Sequence, residues 1–381
     1  MIDVKDISMC CGCTACVAAC PAGCITMHRD SEGFDYPEID MNHCLECGKC
    51  EEVCPMNGHG QPRTPLGVFA ARSDAYVDRS SSGGIFPVLA HKVISEGGVV
   101  CGAVLGDRMK VFHKIADNHK DVVPMMGSKY VQSELGGAFS EIESYLKAGK
   151  TVLFSGTPCQ AAGLRRFLGT NYGSLIIVDF ACHGVPSPGL WSKYLDALQH
   201  RTGKPAETVV FRDKSRGWRH YHFIYNDVSV PYVEDPYMAL FLQDMTLRPS
   251  CYECRLRNGC SGSDITLADL WNVAEAAPGL NDDRGVSAVI VNTDVGVRLM
   301  EDAGSDVELY PVELSSAVRC NGGFAGSVPI PSNRSEFFDG MGHADDLYAY
   351  MQSYVVRKSW VKRIGRKVRR TLSVFKRRII K

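Results

Sequence analysis

The chain has 381 residues, 45% of them hydrophobic, and a formal net charge of −1, a size that holds two or three domains with real cores. No run of 18 apolar residues occurs, which excludes a membrane-spanning helix, and residues 1–9 lack the apolar stretch of a signal peptide. Seventeen residues are Cys and ten of these precede residue 55, so the cysteine density belongs to one small domain.

That domain opens the chain. Cys10, Cys13, Cys16 and Cys20 follow C-x2-C-x2-C-x3-C-P, and Cys44, Cys47, Cys50 and Cys54 repeat it. This is the bacterial ferredoxin spacing for cubane iron–sulfur clusters. A cubane needs four thiolates at the corners of a tetrahedron. Two-residue gaps let one tight loop aim three sulfurs at a cluster while backbone N–H groups point at its sulfides. The fourth Cys faces away and serves the other cluster. The pattern assigns one 4Fe-4S cluster to Cys10, Cys13, Cys16 and Cys54, and a second to Cys44, Cys47, Cys50 and Cys20. Starting the first motif at Cys11 breaks the spacing, which leaves Cys11 and Cys24 as bystanders. Zinc usually takes two C-x2-C pairs per site, and disulfides suit small secreted domains; neither accounts for two complete copies. Thiolate-held clusters need a reducing compartment, so a cytoplasmic protein is expected.

Between the two motifs, Asp30 to Pro37 reads as a hairpin turning near Gly33, with Phe34 or Tyr36 covering the cluster pair. A linker rich in Gly and Pro follows at 57–65. The boundaries are a dicluster ferredoxin-type domain at 1–60 and an α/β domain at 66–340. In the second, Val99–Val104, Val152–Phe154, Leu175–Phe180 and Ala288–Val291 are short continuous apolar runs, read as buried strands of a mostly parallel sheet. Helical stretches separate them at 85–95, 139–147, 160–168, 191–199 and 295–303. The alternation predicts an open α/β sheet.

Three strand-to-helix loops stand out. Ser80-Ser81-Ser82-Gly83-Gly84 precedes a helix and could cradle an anion on free N–H groups, or simply supply a Ser N-cap. Ser155-Gly156-Thr157-Pro158-Cys159-Gln160 sits at the carboxyl end of a strand, where ligands of open α/β sheets bind. Nothing adjacent to Cys159 would activate it as a nucleophile. In Cys182-His183-Gly184-Val185-Pro186-Ser187-Pro188, Ser187 caps the next helix and Pro188 takes its first position. Further on, Cys251, Cys254 and Cys260 want a fourth ligand, for which Cys182 is a candidate. This is a third cluster, a zinc site or a set of core cysteines.

Together with Gly127-Ser128-Lys129-Tyr130-Val131-Gln132-Ser133 and Ser263-Asp264-Ile265-Thr266-Leu267-Ala268-Asp269-Leu270-Trp271, these segments occur in an order that resembles the coenzyme F420 hydrogenase/dehydrogenase beta-subunit family, from about residue 8 to residue 330. The family's Gly-Asp-x-Trp-Gly reads Ala268-Asp269-Leu270-Trp271-Asn272 here. The resemblance implies iron–sulfur clusters beside a flavin, usually FAD, that reduce an organic substrate; some relatives occur in bacterial surface-polysaccharide settings. A flavin joins one-electron and two-electron chemistry. The expected protein is an iron–sulfur flavin-dependent reductase fed by a ferredoxin-like or other soluble donor. Flavin phosphates are expected at Ser81, Ser82, Gly83 and Gly84. Its ring is expected near Lys129, the candidate catalytic residue, and near Gly156, Thr157, Pro158, Cys159 and Gln160. The alternatives are an electron-transfer subunit serving a partner enzyme, and a redox sensor.

The chain closes on a separate electrostatic object. Twelve of the 42 Lys and Arg lie within 355–381, where there is no acid, so the remaining 30 face 43 acidic residues, a balance of −13. Trp360, Ile364, Val368, Leu372, Phe375 and Ile379 share one helical face. A basic amphipathic helix of this kind suits anionic lipid on the inner face of the membrane. A lipid-linked substrate would then be within reach, beside the small-molecule alternative. Packing on the chain's own acidic surface is the competing reading. No base-reading motif accompanies the charges, so no specific nucleic acid is expected.

Overall fold

The computed structural model describes residues 2, 4, 6–58 and 60–357. The first motif leads into helix α1 (Ala15–Ala19), and the second into α2 (Lys49–Glu52). Strands β1 (Ile25–Arg29) and β2 (Asp35–Ile39) pair antiparallel between them, from Ile25↔Ile39 to Arg29↔Asp35. Their turn closes where Phe34 N–H donates to Asp30 Oδ1 at 2.8 Å. The hairpin is as expected, and its aromatic residues pack toward the α/β domain in a core that Cys10 borders. Phe34 is fully buried in a core made by the α/β domain, 6.5 Å from the Phe338 ring, and Tyr36 lies beneath the Arg248 guanidinium. A domain of about 60 residues buries too little surface alone, so its apolar flank is spent on its neighbour.

That neighbour is built on a mixed eight-stranded sheet. Its strands are β3 (Gly67–Arg72), β4 (Val99–Leu105), β5 (Val111–Ala116), β6 (Val152–Ser155), β7 (Leu175–Phe180), β11 (Ile265–Asp269), β12 (Ser287–Val291) and β13 (Glu308–Pro311). The spatial order is β13-β3-β12-β11-β7-β6-β4-β5. The pairs β4/β6, β6/β7 and β7/β11 are parallel and the remaining four antiparallel. The expected parallel sheet is therefore its centre alone. Three further strands, β8 (Val209–Asp213), β9 (His222–Tyr225) and β10 (Val228–Pro231), form a small antiparallel sheet.

Helices cover both faces of the central strands, which is why β6 and β7 read as unbroken apolar runs. On one face α3 (Ile85–Ser95) packs with the helix Asp294–Ala303; α4 (His119–Val122) lies beside α3. On the other face α5 (Ala138–Lys147) and α6 (Pro158–Leu168) pack with Cys11, Cys13, Ala15, Val53 and Met56 of the first domain. The two domains thus share one core. A third core joins α7 (Pro188–Thr202), α8 (Pro236–Leu242), the small sheet and the helices Arg334–Met341 and Leu347–Tyr354. Ser187 Oγ accepts from Leu190 N–H at 3.1 Å, and Pro188 stands at the first helical position. Of the basic segment 355–381, residues 358–381 lie outside the described residues. Val356 N–H donates to Gln243 Oε1 at 3.0 Å.

Candidate functional site

Cys20, Cys44, Cys47 and Cys50, the four residues assigned to the second cluster, line one small cavity. Ile25 and Ile39 of the hairpin wall it, and so does Cys24, whose Sγ is 3.4 Å from Cys20 Sγ. Cys47 is exposed, and Leu45, which lines the same cavity, is 67% exposed. The residues of the first cluster lie deeper. Cys13 and Cys16 are buried. Burial, then the neighbouring Cys10 and Cys54, pushes the Cys16 thiol up to about 12. Such thiols ionise when a cation binds them, as cluster assembly requires. Among the described residues no three His, Cys, Asp or Glu converge as closely as a single ion requires; a cubane spreads its thiolates around a larger body.

Helix α6 connects this region to a second, larger cavity. At one end of the helix Thr157 forms a capping box with Gln160: Thr157 N–H donates to Gln160 Oε1 at 3.0 Å, and Thr157 Oγ1 accepts from Gln160 N–H. Further along, a Cβ on Gly163 would stand 3.0 Å from Cys13 Sγ, so the helix lies directly on the first cysteine loop.

The larger cavity has a volume of about 480 Å³, within the range of roughly 300–1,000 Å³ that holds cofactors and small ligands. Its wall includes Ser81, Ser82, Gly84, Lys129, Gly156, Thr157 and Gln160, which the sequence places apart in three loops. Gly84 is the N-cap of α3 with φ +83, and no side chain caps that helix. The Ser N-cap alternative is therefore not what forms, and the start of α3, Ile85 to Pro87, is also on the wall, which brings the helix's positive dipole end there. Ser81 Oγ accepts from Ser128 N–H at 2.6 Å instead. Lys214 Nζ donates to the Ser82 and Arg284 carbonyls at 3.1 and 2.7 Å and fixes the loop from behind. Lys129 Nζ donates to the Pro124 and Met126 carbonyls at 2.8 and 3.0 Å, and burial lowers its pKa to about 7. Gln160 Nε2 donates to Ser133 Oγ at 3.0 Å, and Ser133 Oγ lies 3.1 Å from His113 Nδ1. His113 Nε2 is 3.0 Å from the Ser155 carbonyl, and burial drops this ring to about 4, so it is neutral and donates from Nε2.

Three expected residues are not on that wall. Gly83 N–H is committed to Ser287 Oγ at 3.0 Å. Pro158 is buried at the first position of α6. Cys159 turns its thiol toward Thr157 Oγ1, at 3.1 Å, and toward Cys11.

Cys159 belongs to a group of thiols instead. Cys182, Cys251 and Cys254 sense one another and Cys159; burial raises the pKa values of the first three, and the contact with Cys11, then burial, raises that of Cys159. Cys260 neighbours Cys254 alone of these. The group has Cys182 on the cavity wall and, through Cys159, meets Cys11 on the first cysteine loop.

Sequence reasoning missed Asp179, Arg212, Tyr221, Asp269 and Trp271 as cavity residues. Arg212 Nη1 donates to Asp269 Oδ2 at 2.8 Å, with the guanidinium 4.8 Å from the Tyr221 ring centroid and 5.5 Å from that of Trp271. Asp179, raised to about 6 by burial, accepts from Ser261 and Thr266 hydroxyls at 2.6 Å. The Ala268–Asn272 motif held a signal for two of these. Arg212 and Tyr221 lie on or beside the small sheet, which the sequence reading did not register.

Comparison with known proteins agrees with this organisation. The family described as the C-terminal part of the coenzyme F420 hydrogenase/dehydrogenase beta subunit matches residues 149–315, and the "4Fe-4S dicluster domain" matches residues 9–57. One of the subunits of the F(420)H(2) dehydrogenase of Methanosarcina mazei is 24% identical over 47% of this chain and 55% of its own length. A 7Fe ferredoxin of Hydrogenibacillus schlegelii is 44% identical over 15% of this chain and 56% of its own. The chain spans about half the length of such curated relatives. A chain of the F420-reducing NiFe hydrogenase complex of Methanosarcina barkeri aligns with a TM-score of 0.49 and 17% identity, over 75% of this chain and 95% of that one. No helix among the described residues is long and apolar enough to cross a membrane. The chain is thus related to coenzyme F420 hydrogenase/dehydrogenase subunits, matching the beta-subunit family over residues 149–315 of its α/β domain, with a 4Fe-4S dicluster domain ahead of it.

Proposed function

We propose that the protein is an iron–sulfur flavoprotein reductase that takes electrons from a soluble, ferredoxin-like donor and delivers them to an organic substrate. The observation that carries the reading is the 480 Å³ cavity, whose wall combines an uncapped helix start, a half-buried lysine and a thiol of the cysteine group. A flat cluster face without a pocket would have favoured a pure electron carrier. The residues fit a flavin dinucleotide, FAD: Ser81, Ser82 and Gly84 with the first turn of α3 would hold phosphates, and Lys129 with Gly156, Thr157 and Gln160 would border the ring. Bound there, it would supply exchange between single electrons and hydride. Lys129 is suited to hold positive charge or donate a hydrogen bond at the ring edge. Gln160 is locked by Thr157 and Ser133, which keeps that wall rigid.

On the first domain, Cys10, Cys13, Cys16 and Cys54 would hold one cluster and Cys20, Cys44, Cys47 and Cys50 the other. Cys47, with exposed Leu45 beside it, is where a soluble donor would dock. Cys182, Cys251 and Cys254 would form a further cluster site with Cys159 as fourth ligand in place of Cys260. The substrate would be a small or lipid-linked molecule, consistent with surface-polysaccharide metabolism and with membrane contact through 355–381.

The test is cofactor content. Acid treatment of anaerobically prepared protein is expected to release about one flavin per chain, read by fluorescence, with iron at or above the roughly eight atoms that two cubanes hold. Full iron with no flavin would replace this reading by that of an electron-transfer subunit.

A further inference from the structure

Arg248 precedes the turn Pro249–Cys251 of the α/β domain, is fully buried, and reaches across to the first cysteine loop. Nε donates to the Cys10 carbonyl at 2.7 Å and Nη2 to the Asp35 carbonyl at 2.9 Å. Nη1 donates to Gln132 Oε1 at 3.0 Å, and Nη2 lies 3.7 Å from Cys10 Sγ. The Tyr36 ring packs 4.1 Å from the guanidinium. Gln132 completes the clamp by donating to the Cys11 carbonyl at 3.0 Å. Gly12 makes room for both: a Cβ there would stand 2.7 Å from Gln132 Nε2 and 2.8 Å from Arg248 Nη1, and its φ of +67 disfavours any side chain.

The acceptors in these bonds are carbonyl and amide oxygens and one cysteine sulfur. A buried cation without an anionic partner is strongly disfavoured. A cubane held by four thiolates is an anion and gains one more negative charge on reduction. We propose that Arg248 is the built-in counter-charge of the cluster held by Cys10, Cys13, Cys16 and Cys54, stabilising its reduced form and raising its potential. It acts as a positioning and tuning residue. The cluster at Cys20, Cys44, Cys47 and Cys50 has the exposed Lys49 beside it, whose charge water screens. With both clusters bound, this charge would favour an electron on the inner cluster over the outer one, with no proton moved.

The inference rests on the cluster assignment made above, and one experiment separates the two. Full-length protein, R248Q and Q132E are prepared anaerobically, and iron content is measured before an EPR-monitored redox titration. R248Q removes the charge; Q132E neutralises it by placing a carboxylate against Nη1. The expected result is a negative shift of one cluster's potential in each variant, with the other cluster's potential unchanged. If R248Q does not retain its iron, Q132E decides alone. Unchanged potentials in an iron-replete variant would overturn the tuning role. Wild-type protein without two reducible clusters would overturn the assignment itself, and the tuning role with it.

Discussion

Lys129 has the titration that most sharply distinguishes the cavity from an ordinary surface. Its pKa falls from 10.5 to about 7 because burial disfavours the ammonium. Between those values the unfolded chain binds more protons than the folded one, so stability rises as pH climbs through this window, and the burden is present in full below 7. In flavin-free protein, Lys129→Met is expected to flatten this rise, read as the difference in thermal stability between about pH 6 and about pH 9. An unchanged pH profile would place the ammonium in water. At this scale much of the chemistry was legible in the sequence. The eight cysteines assigned to the clusters stand out by spacing, a local property of the chain, and residues 9–57 match a 4Fe-4S dicluster domain. The thiol group at Cys182 did not resolve, because Cys159 arrives there by the path of α6 and not by any spacing to Cys251.

At the scale of elements, the two domains are joined by direct contacts. Helix α6 touches the cavity with Thr157 and the first cysteine loop with Gly163. A second tie is ionic: Arg334 of the helix Arg334–Met341 donates to Glu32 of the hairpin turn, Nη1 to Oε1 at 2.7 Å. Their side chains are 8% and 17% exposed. Removing one member of a buried pair leaves the other uncompensated, so Arg334→Ala is expected to destabilise the loaded protein by about 3–5 kcal/mol in chemical denaturation. A change below about 0.5 kcal/mol, the scale of ordinary surface substitutions, would show that the hairpin is not held there. The main helices of the α/β domain were readable from their apolar periodicity. The edge strands β5 and β13, the neighbouring β3 and the small sheet were not, since half-exposed strands with interrupted alternation look like loops. Arg212 and Tyr221 went unrecognised with them.

Across the whole molecule, an exposed cysteine cavity, a buried cysteine loop, a thiol group and a cofactor-sized cavity follow one another through a shared core. The fold class was visible because long apolar runs alternate with helical segments. The mixed character of the sheet was not, because strand direction depends on connections whose ends carry no local signal. On the proposed route, electrons entering at Cys47 reach the large cavity through the first domain. Replacing Cys47 by Ala should lower iron by about four atoms per chain. The decisive measurement mixes chemically reduced ferredoxin with anaerobic flavin-loaded protein and follows the bleaching of flavin absorbance by stopped flow. The wild type is expected to bleach rapidly and Cys47→Ala at least tenfold more slowly, equivalent to about 1.4 kcal/mol or more of added barrier. Equal rates in the two proteins would mean that electrons enter the cavity by another route.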